Sequence, residues 1–342
     1  MKIDRLVEKT TEKDGVKKWK VIVGIVVGLV IVFCLSYCYV YWYVDLDEYL
    51  SETKDIVSLY EFYDAKVGED ETAVFFIGNS IVGHPVYPPE INRILNEKGY
   101  DITTYNLAIS SDVALERSLE MQKIIDAKPS LVIYGVSYNN ILSKGSRLDE
   151  RTKLVYSKLD VRNDALALFT NEEITSYLLS PPDLIYLKKY LENAKKYSGK
   201  SSTSRTYDYF VDCYGLEWRL YADTQKMSYD EIKNDVSNIN HVVGDEDNRY
   251  KDALLYSVKT LQDAGIPVVI ISMPIHPAYS EKISDESRQN FHNLLDQTGV
   301  KWYDMEFLYG DEFFRDYIHS LFETGALVFA PVMADLIIQE MS

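Results

Sequence analysis

The longest apolar run is near the start of the chain. From Val21 to Val44 it reads VIVGIVVGLVIVFCLSYCYVYWYV, without a charge. As a helix, this run spans roughly 36 Å at 1.5 Å per residue, enough to cross a hydrocarbon core of about 30 Å. No later run stays uncharged over such a length. Beyond it the pattern changes to short apolar runs separated by amphipathic stretches. Ala73–Ile77, Ile102–Leu107, Leu131–Gly135, Pro267–Met273 and Val300–Asp304 are brief, β-branched or aromatic, and bounded by Gly, Pro or Asp. They read as buried strands. Between them, Pro89–Lys98, Val113–Ala127, Arg249–Ala264 and Asp285–Thr298 have helical periodicity, and Gly325–Met341 follows the last strand. Gly99, Gly265 and Gly299 stand just past three of these helices as stops, and Lys128-Pro129 closes the fourth. This alternation predicts an α/β fold: a flavodoxin-like, three-layer α/β/α parallel sheet in the order 2-1-3-4-5, preceded by one transmembrane helix.

The expected organisation is a basic cytoplasmic segment at 1–20, a transmembrane helix at 21–44, a helical acidic stem at 45–70, and a domain at 71–342. An insertion at about 143–248, polar and tyrosine-rich, interrupts the alternation. Residues 1–20 hold seven cations against four anions, and Asp45, Asp47 and Glu48 follow the apolar run. The positive-inside rule puts the N-terminus in the cytoplasm and residues 45–342 outside, on a single-pass cell-membrane protein. Tyr37, Tyr39, Tyr41, Trp42 and Tyr43 would form the outer aromatic belt. The 342 residues carry a formal charge of −17, which repels phosphate backbones and argues against nucleic-acid binding. Three cysteines, two of them in the apolar run, cannot form a disulfide framework.

Several motifs fail on their spacing. Gly199-Lys200-Ser201 lacks the earlier glycine of a phosphate loop, since Ala194 stands there. Asp245-Glu246-Asp247-Asn248 begins like a calcium loop but continues into Arg249 without the required glycine. No zinc signature and no Gly-x-Ser-x-Gly elbow is present.

One constellation survives. Strand one runs into Gly78-Asn79-Ser80, strand three into Ser137-Tyr138-Asn139-Asn140, and the last strand is followed by Asp316-Tyr317-Ile318-His319. A parallel sheet brings these to one carboxyl edge, where open α/β sheets bind ligands. Serine needs a base, imidazole is suited to that role near neutral pH, and a carboxylate can orient the imidazole. Taken singly, Ser80 reads as a turn or cap residue, Asp316 and His319 as a surface pair, and Asn139 as a turn residue. Asn140 or Ser137 could replace Asn139. His276 reads as a turn or cleft residue, His84 as a bystander, and His241 and His292 as surface or helix positions.

Together these blocks resemble the SGNH (GDSL) hydrolases over roughly residues 73–335. Gly78-Asn79-Ser80 is similar to the family's Gly-Asp-Ser block, Asn139 to the Asn of its Gly-x-Asn-Asp block, and Asp316-x-x-His319 to its Asp-x-x-His block. Asn106-Leu107-Ala108-Ile109-Ser110-Ser111 corresponds to the remaining block, with serine where the family has glycine. Asn at 79 and two extra residues before Asn139 are further departures. The resemblance implies Ser80, Asp316 and His319 as catalytic residues. It implies an oxyanion hole from Ser80, Ser110, Ser111 and Asn139, with no cofactor and no metal. It further implies an extracytoplasmic esterase or O-acyltransferase working through an acyl-serine on an acyl ester or acylated cell-surface glycan. Its implied partner is a membrane O-acyltransferase. The alternative is a catalytically silent binding or scaffold module of the cell envelope, which the departures favour.

Overall fold

The computed structural model describes residues 19–35, 62–66, 71–109, 112–138, 162–171, 173–174, 226–239 and 249–342. Residues 36–44 of the expected anchor, most of the 45–70 stretch, and most of the insertion lie outside the described residues. So do Ser110, Ser111, Asn139, Asn140 and His241.

Five strands follow in chain order: β1 (Ala73–Ile77), β2 (Thr103–Asn106), β3 (Leu131–Val136), β4 (Val268–Ser272) and β5 (Trp302–Asp304). All pairings are parallel and the sheet order is β2-β1-β3-β4-β5, as the alternation predicts. Strand periodicity explains the layering, because successive side chains point to opposite faces. Phe75, Ile77, Val132, Tyr134 and Ile270 bury against the helices Met121–Ala127, Arg249–Asp263 and Asp285–Gln297. Val74, Phe76, Ile133, Val269 and Ile271 bury against Pro88–Glu97 and Leu327–Met341. The result is a three-layer α/β/α fold. Phe62 and Tyr63 join the first layer, where the Phe62 ring lies 4.9 Å from Tyr105 and 5.8 Å from Phe75.

The stops behave as the sequence suggests. Gly99, Gly265 and Gly299 have φ of 85°, 78° and 69°, and Lys128 takes the same left-handed turn before Pro129. Two helices differ from expectation. The stretch predicted as one helix over Val113–Ala127 is Ala114–Arg117, a 3₁₀ turn at Ser118–Glu120, and Met121–Ala127. The Ser118 hydroxyl donates to the Leu115 carbonyl at 2.7 Å, which competes with the regular ladder there. The last helix begins with a π-turn at Phe322–Ala326 before Leu327–Met341.

The apolar helix Trp19–Leu35 belongs to a compact unit other than the one that holds the sheet, and its side chains are exposed. Among the described residues, the helix long and apolar enough to cross a membrane is Phe322–Met341, and Trp19–Leu35 is shorter. However, Phe329, Ala330, Met333, Ala334 and Ile337 are fully buried in the layer on the sheet, so its apolarity belongs to the core.

Candidate active site

Parallel pairing puts the loops after β1, β2, β3, β4 and β5 at one edge. There β1 ends in a tight turn. Gly78 has φ +144°, and a Cβ on it would lie 2.5 Å from both the Gly135 carbonyl and Val82 Cγ2. Asn79 caps the one-turn helix Ser80–Gly83, its Oδ1 accepting from the Ile81 N–H at 3.0 Å. With Asn79 as the cap, Ser80 is the first helical residue and its hydroxyl is left for another partner.

That partner is 239 residues away. His319 Nε2 lies 2.9 Å from Ser80 Oγ, and His319 Nδ1 lies 2.8 Å from Asp316 Oδ2. The local sequence builds the second contact. Asp316 Oδ1 accepts from the N–H groups of Ile318 and His319 at 2.9 and 2.8 Å, a side-chain turn that folds the carboxylate back on the imidazole. The Arg315 N–H donates to the His319 carbonyl at 2.8 Å, and Phe314 bridges Ser320 antiparallel, closing a short loop around the pair. Burial pushes the Asp316 carboxyl up, but the bond and charge of His319 and the two backbone N–H groups outweigh it and hold the pKa at about 2. Asp316 is therefore ionised near neutral pH and can accept an Nδ1–H, and in that tautomer of the neutral imidazole Nε2 meets the Ser80 hydroxyl with its lone pair. The Asp316 and His319 side chains are 15% and 20% exposed, enough for a substrate to reach the base.

Two residues outside the site expected from the sequence adjoin it. His84, read above as a bystander, lies with its ring centroid 4.4 Å from that of His319 at an interplanar angle of 39°. The signal was its position four residues after Ser80, on the same side of one helical turn. Arg117 is fully buried at the sheet edge. It donates to the Gly78 carbonyl at 2.9 Å, to Asp112 at 2.7 Å and to Glu120 at 2.7 Å. Burial opposes the guanidinium's charge, but Asp112 and Glu120 more than offset this and keep it protonated. The ionic cluster joins the turn before Ser80 to the chain just past Ser110 and Ser111. Asn106 adds a third tie, donating to the Gly83 and Val86 carbonyls at 3.0 and 2.8 Å.

His276 resolves as a structural histidine. It is fully buried, its Nδ1 accepts from the Ala278 N–H at 3.0 Å, and its Nε2 lies 2.8 Å from Asp311 Oδ1. Its own N–H donates to the Tyr317 carbonyl at 3.1 Å, which ties the loop after β4 to the loop carrying His319. From the insertion, the Met227 N–H donates to the Arg315 carbonyl at 2.9 Å and Tyr229 packs on His276, so residues 226–239 lean on the same loop. His292, Asp304 and Glu306 also bring ligand-type atoms together. Glu306 is already held by Arg288 at 2.9 Å and by the Tyr138 hydroxyl at 2.7 Å, so the group reads as an ion-pair network. A cavity of about 460 Å³ lined by Leu131, Pro267, Val300 and Lys301 lies at the opposite, amino edge of the sheet.

No family model matches the sequence, and no curated protein matches it by sequence. Among solved structures it is similar to TesA, at 11% identity and a TM-score of 0.36, covering 79% of this chain and 98% of that one. It is also similar to the psychrotrophic esterase EstA from Pseudoalteromonas sp., in a structure inhibited by monoethylphosphonate. That match has 11% identity and a TM-score of 0.38, covering 79% and 96% of the two chains.

Proposed function

We propose that this chain is a serine-dependent acyl-ester enzyme and, more narrowly, a membrane-anchored SGNH-like esterase or O-acyltransferase. The observation that carries the reading is the continuous relay from Ser80 Oγ to His319 Nε2 and from His319 Nδ1 to Asp316. His319 takes the Ser80 proton as Oγ attacks the acyl carbonyl, and the imidazolium is stabilised by ionised Asp316. The oxyanion is received by the Ser80 N–H, the Ser110 or Ser111 N–H, and the Asn139 side-chain amide. The leaving alkoxide takes the proton from His319, leaving an acyl-serine. Water or a sugar hydroxyl, deprotonated by the same His319, then attacks the acyl group, and Ser80 leaves with the returned proton.

The substrate class is an acyl ester of cell-surface polysaccharide, with a membrane O-acyltransferase as partner. The anchor is residues 21–44, with the N-terminus in the cytoplasm and residues 45–342 outside. The apolar helix Trp19–Leu35 and the cation excess before it support this placement. A second reading, a silent binding module, is favoured by serine at 110 and 111 where the family has glycine.

The test is labelling of the full-length chain, purified in detergent, by a fluorophosphonate probe, followed by turnover of acetylated aryl esters with and without sugar acceptors. Wild type is expected to label at Ser80. Ser80→Ala is expected to abolish labelling, and His319→Gln to slow turnover by several orders of magnitude. An unlabelled wild type that turns over no ester would favour the silent module. Product partitioning toward the sugar would identify a transferase.

A further inference from the structure

We propose that His84 is a positioning residue that acts through its ring face on His319, holding the imidazole in the plane that reaches both Ser80 and Asp316. The inference rests on the relay reading above and adds to it the element that keeps the base aligned.

Both ring nitrogens of His319 are occupied, Nδ1 by Asp316 at 2.8 Å and Nε2 by Ser80 at 2.9 Å. The contact with His84, at 4.4 Å between centroids, is therefore one of ring against ring. The terminal torsion that carries an imidazole is broad, so two hydrogen bonds restrain the tilt of the ring only softly. A ring packed against it, here at a tilt of 39°, limits that freedom.

His84 is built to be such a plate. It is 8% exposed, and its N–H donates to the Ser80 carbonyl at 3.0 Å, closing the turn that presents the nucleophile. The plate is thus fixed to the nucleophile's own turn, while the base arrives on a loop far along the chain. The ring contact registers the one against the other. Substrate is left the side of His319 that His84 does not cover.

The experiment compares the full-length chain with His84→Leu, which fills the space without a flat face, and His84→Phe, which keeps the face without ring nitrogens. The readout is fluorophosphonate inactivation, resolved into a limiting rate and a half-saturating concentration, with thermal unfolding as a check on the fold. His84→Leu is expected to lower the limiting rate about tenfold to a hundredfold, the scale of a small misplacement of a catalytic group. The half-saturating concentration is expected to stay within about twofold. His84→Phe is expected to stay within about threefold of wild type in both. If His84→Leu reacts at the wild-type rate, or if His84→Phe is as slow as His84→Leu, the proposal fails. A Ser80→Ala control separates the two levels. Labelling that survives Ser80→Ala removes the relay and this proposal with it, whereas Ser80-dependent labelling indifferent to His84 removes this proposal alone.

Discussion

At the scale of single residues, the site depends on how a few polar groups are held inside a mostly apolar edge. Asp316 is the one with a measurable pH signature. Its pKa of about 2 lies below its ordinary value near 4, so the ionised form is favoured by the fold. A depressed carboxylate stabilises the native state fully above its unfolded pKa, and that contribution is lost as pH falls from about 4 toward 2. The shift corresponds to about 2 kcal/mol. Asp316→Asn is accordingly expected to be less stable by up to about that amount above pH 4.5, with a narrower gap at pH 3. Urea unfolding at several pH values checks this, and a gap independent of pH would contradict it. The Asp316 and His319 pair was legible in the sequence because three residues suffice to fold one onto the other. Arg117 was not. In the sequence it sits between Glu116 and Ser118 inside an expected helix with nothing to mark it, and its burial becomes visible only when Asp112, Glu120 and the Gly78 carbonyl surround it.

At the scale of elements, the strands and stops followed from local chemistry, while the way elements cross did not. The helix after β1 lies across the ends of β1 and β3, and it can do so because both carry glycine there. A Cβ at Gly135 would sit 2.2 Å from Val82 Cγ2 and 2.9 Å from Met273 Sδ. Gly135→Ala is therefore expected to cost about 1–3 kcal/mol by overpacking. Adding Val82→Ala is expected to recover part of that loss, because it removes the methyl that clashes. Thermal unfolding of the single and double variants decides it, and a double variant weaker than the sum of its singles would contradict the crossing as the cause. The breaks at Ser118–Glu120 and Phe322–Ala326 had no periodic signature. The first follows a side-chain bond to the backbone, and the second is a local widening of the ladder just before the apolar terminal helix.

At the scale of the whole molecule, one sheet with two apolar faces sets where everything else goes. Its strand order leaves the carboxyl ends of β1 and β3 side by side, and the loop after β5 returns with Asp316 and His319 to the first of them. The proposed topology is testable at this scale. In spheroplasts of a bacterial host expressing the full chain, added protease is expected to remove residues 45–342 without lysis. Digestion of those residues only after lysis would reverse the orientation. The sequence by itself determined the strands, their alternation with helices, the glycine stops, and the apolar segment from Val21. Those features depend on periodicity and backbone preference within a few residues. It also marked Ser80, Asp316 and His319, because chemistry restricts which residues can serve as nucleophile, orienter and base. Only the tertiary structure decided that these three meet, that the His84 ring packs against the base, that His276 is structural, and that Phe322–Met341 belongs to the core. Each of those facts depends on contacts between segments far apart in the chain, and no local pattern encodes the partner.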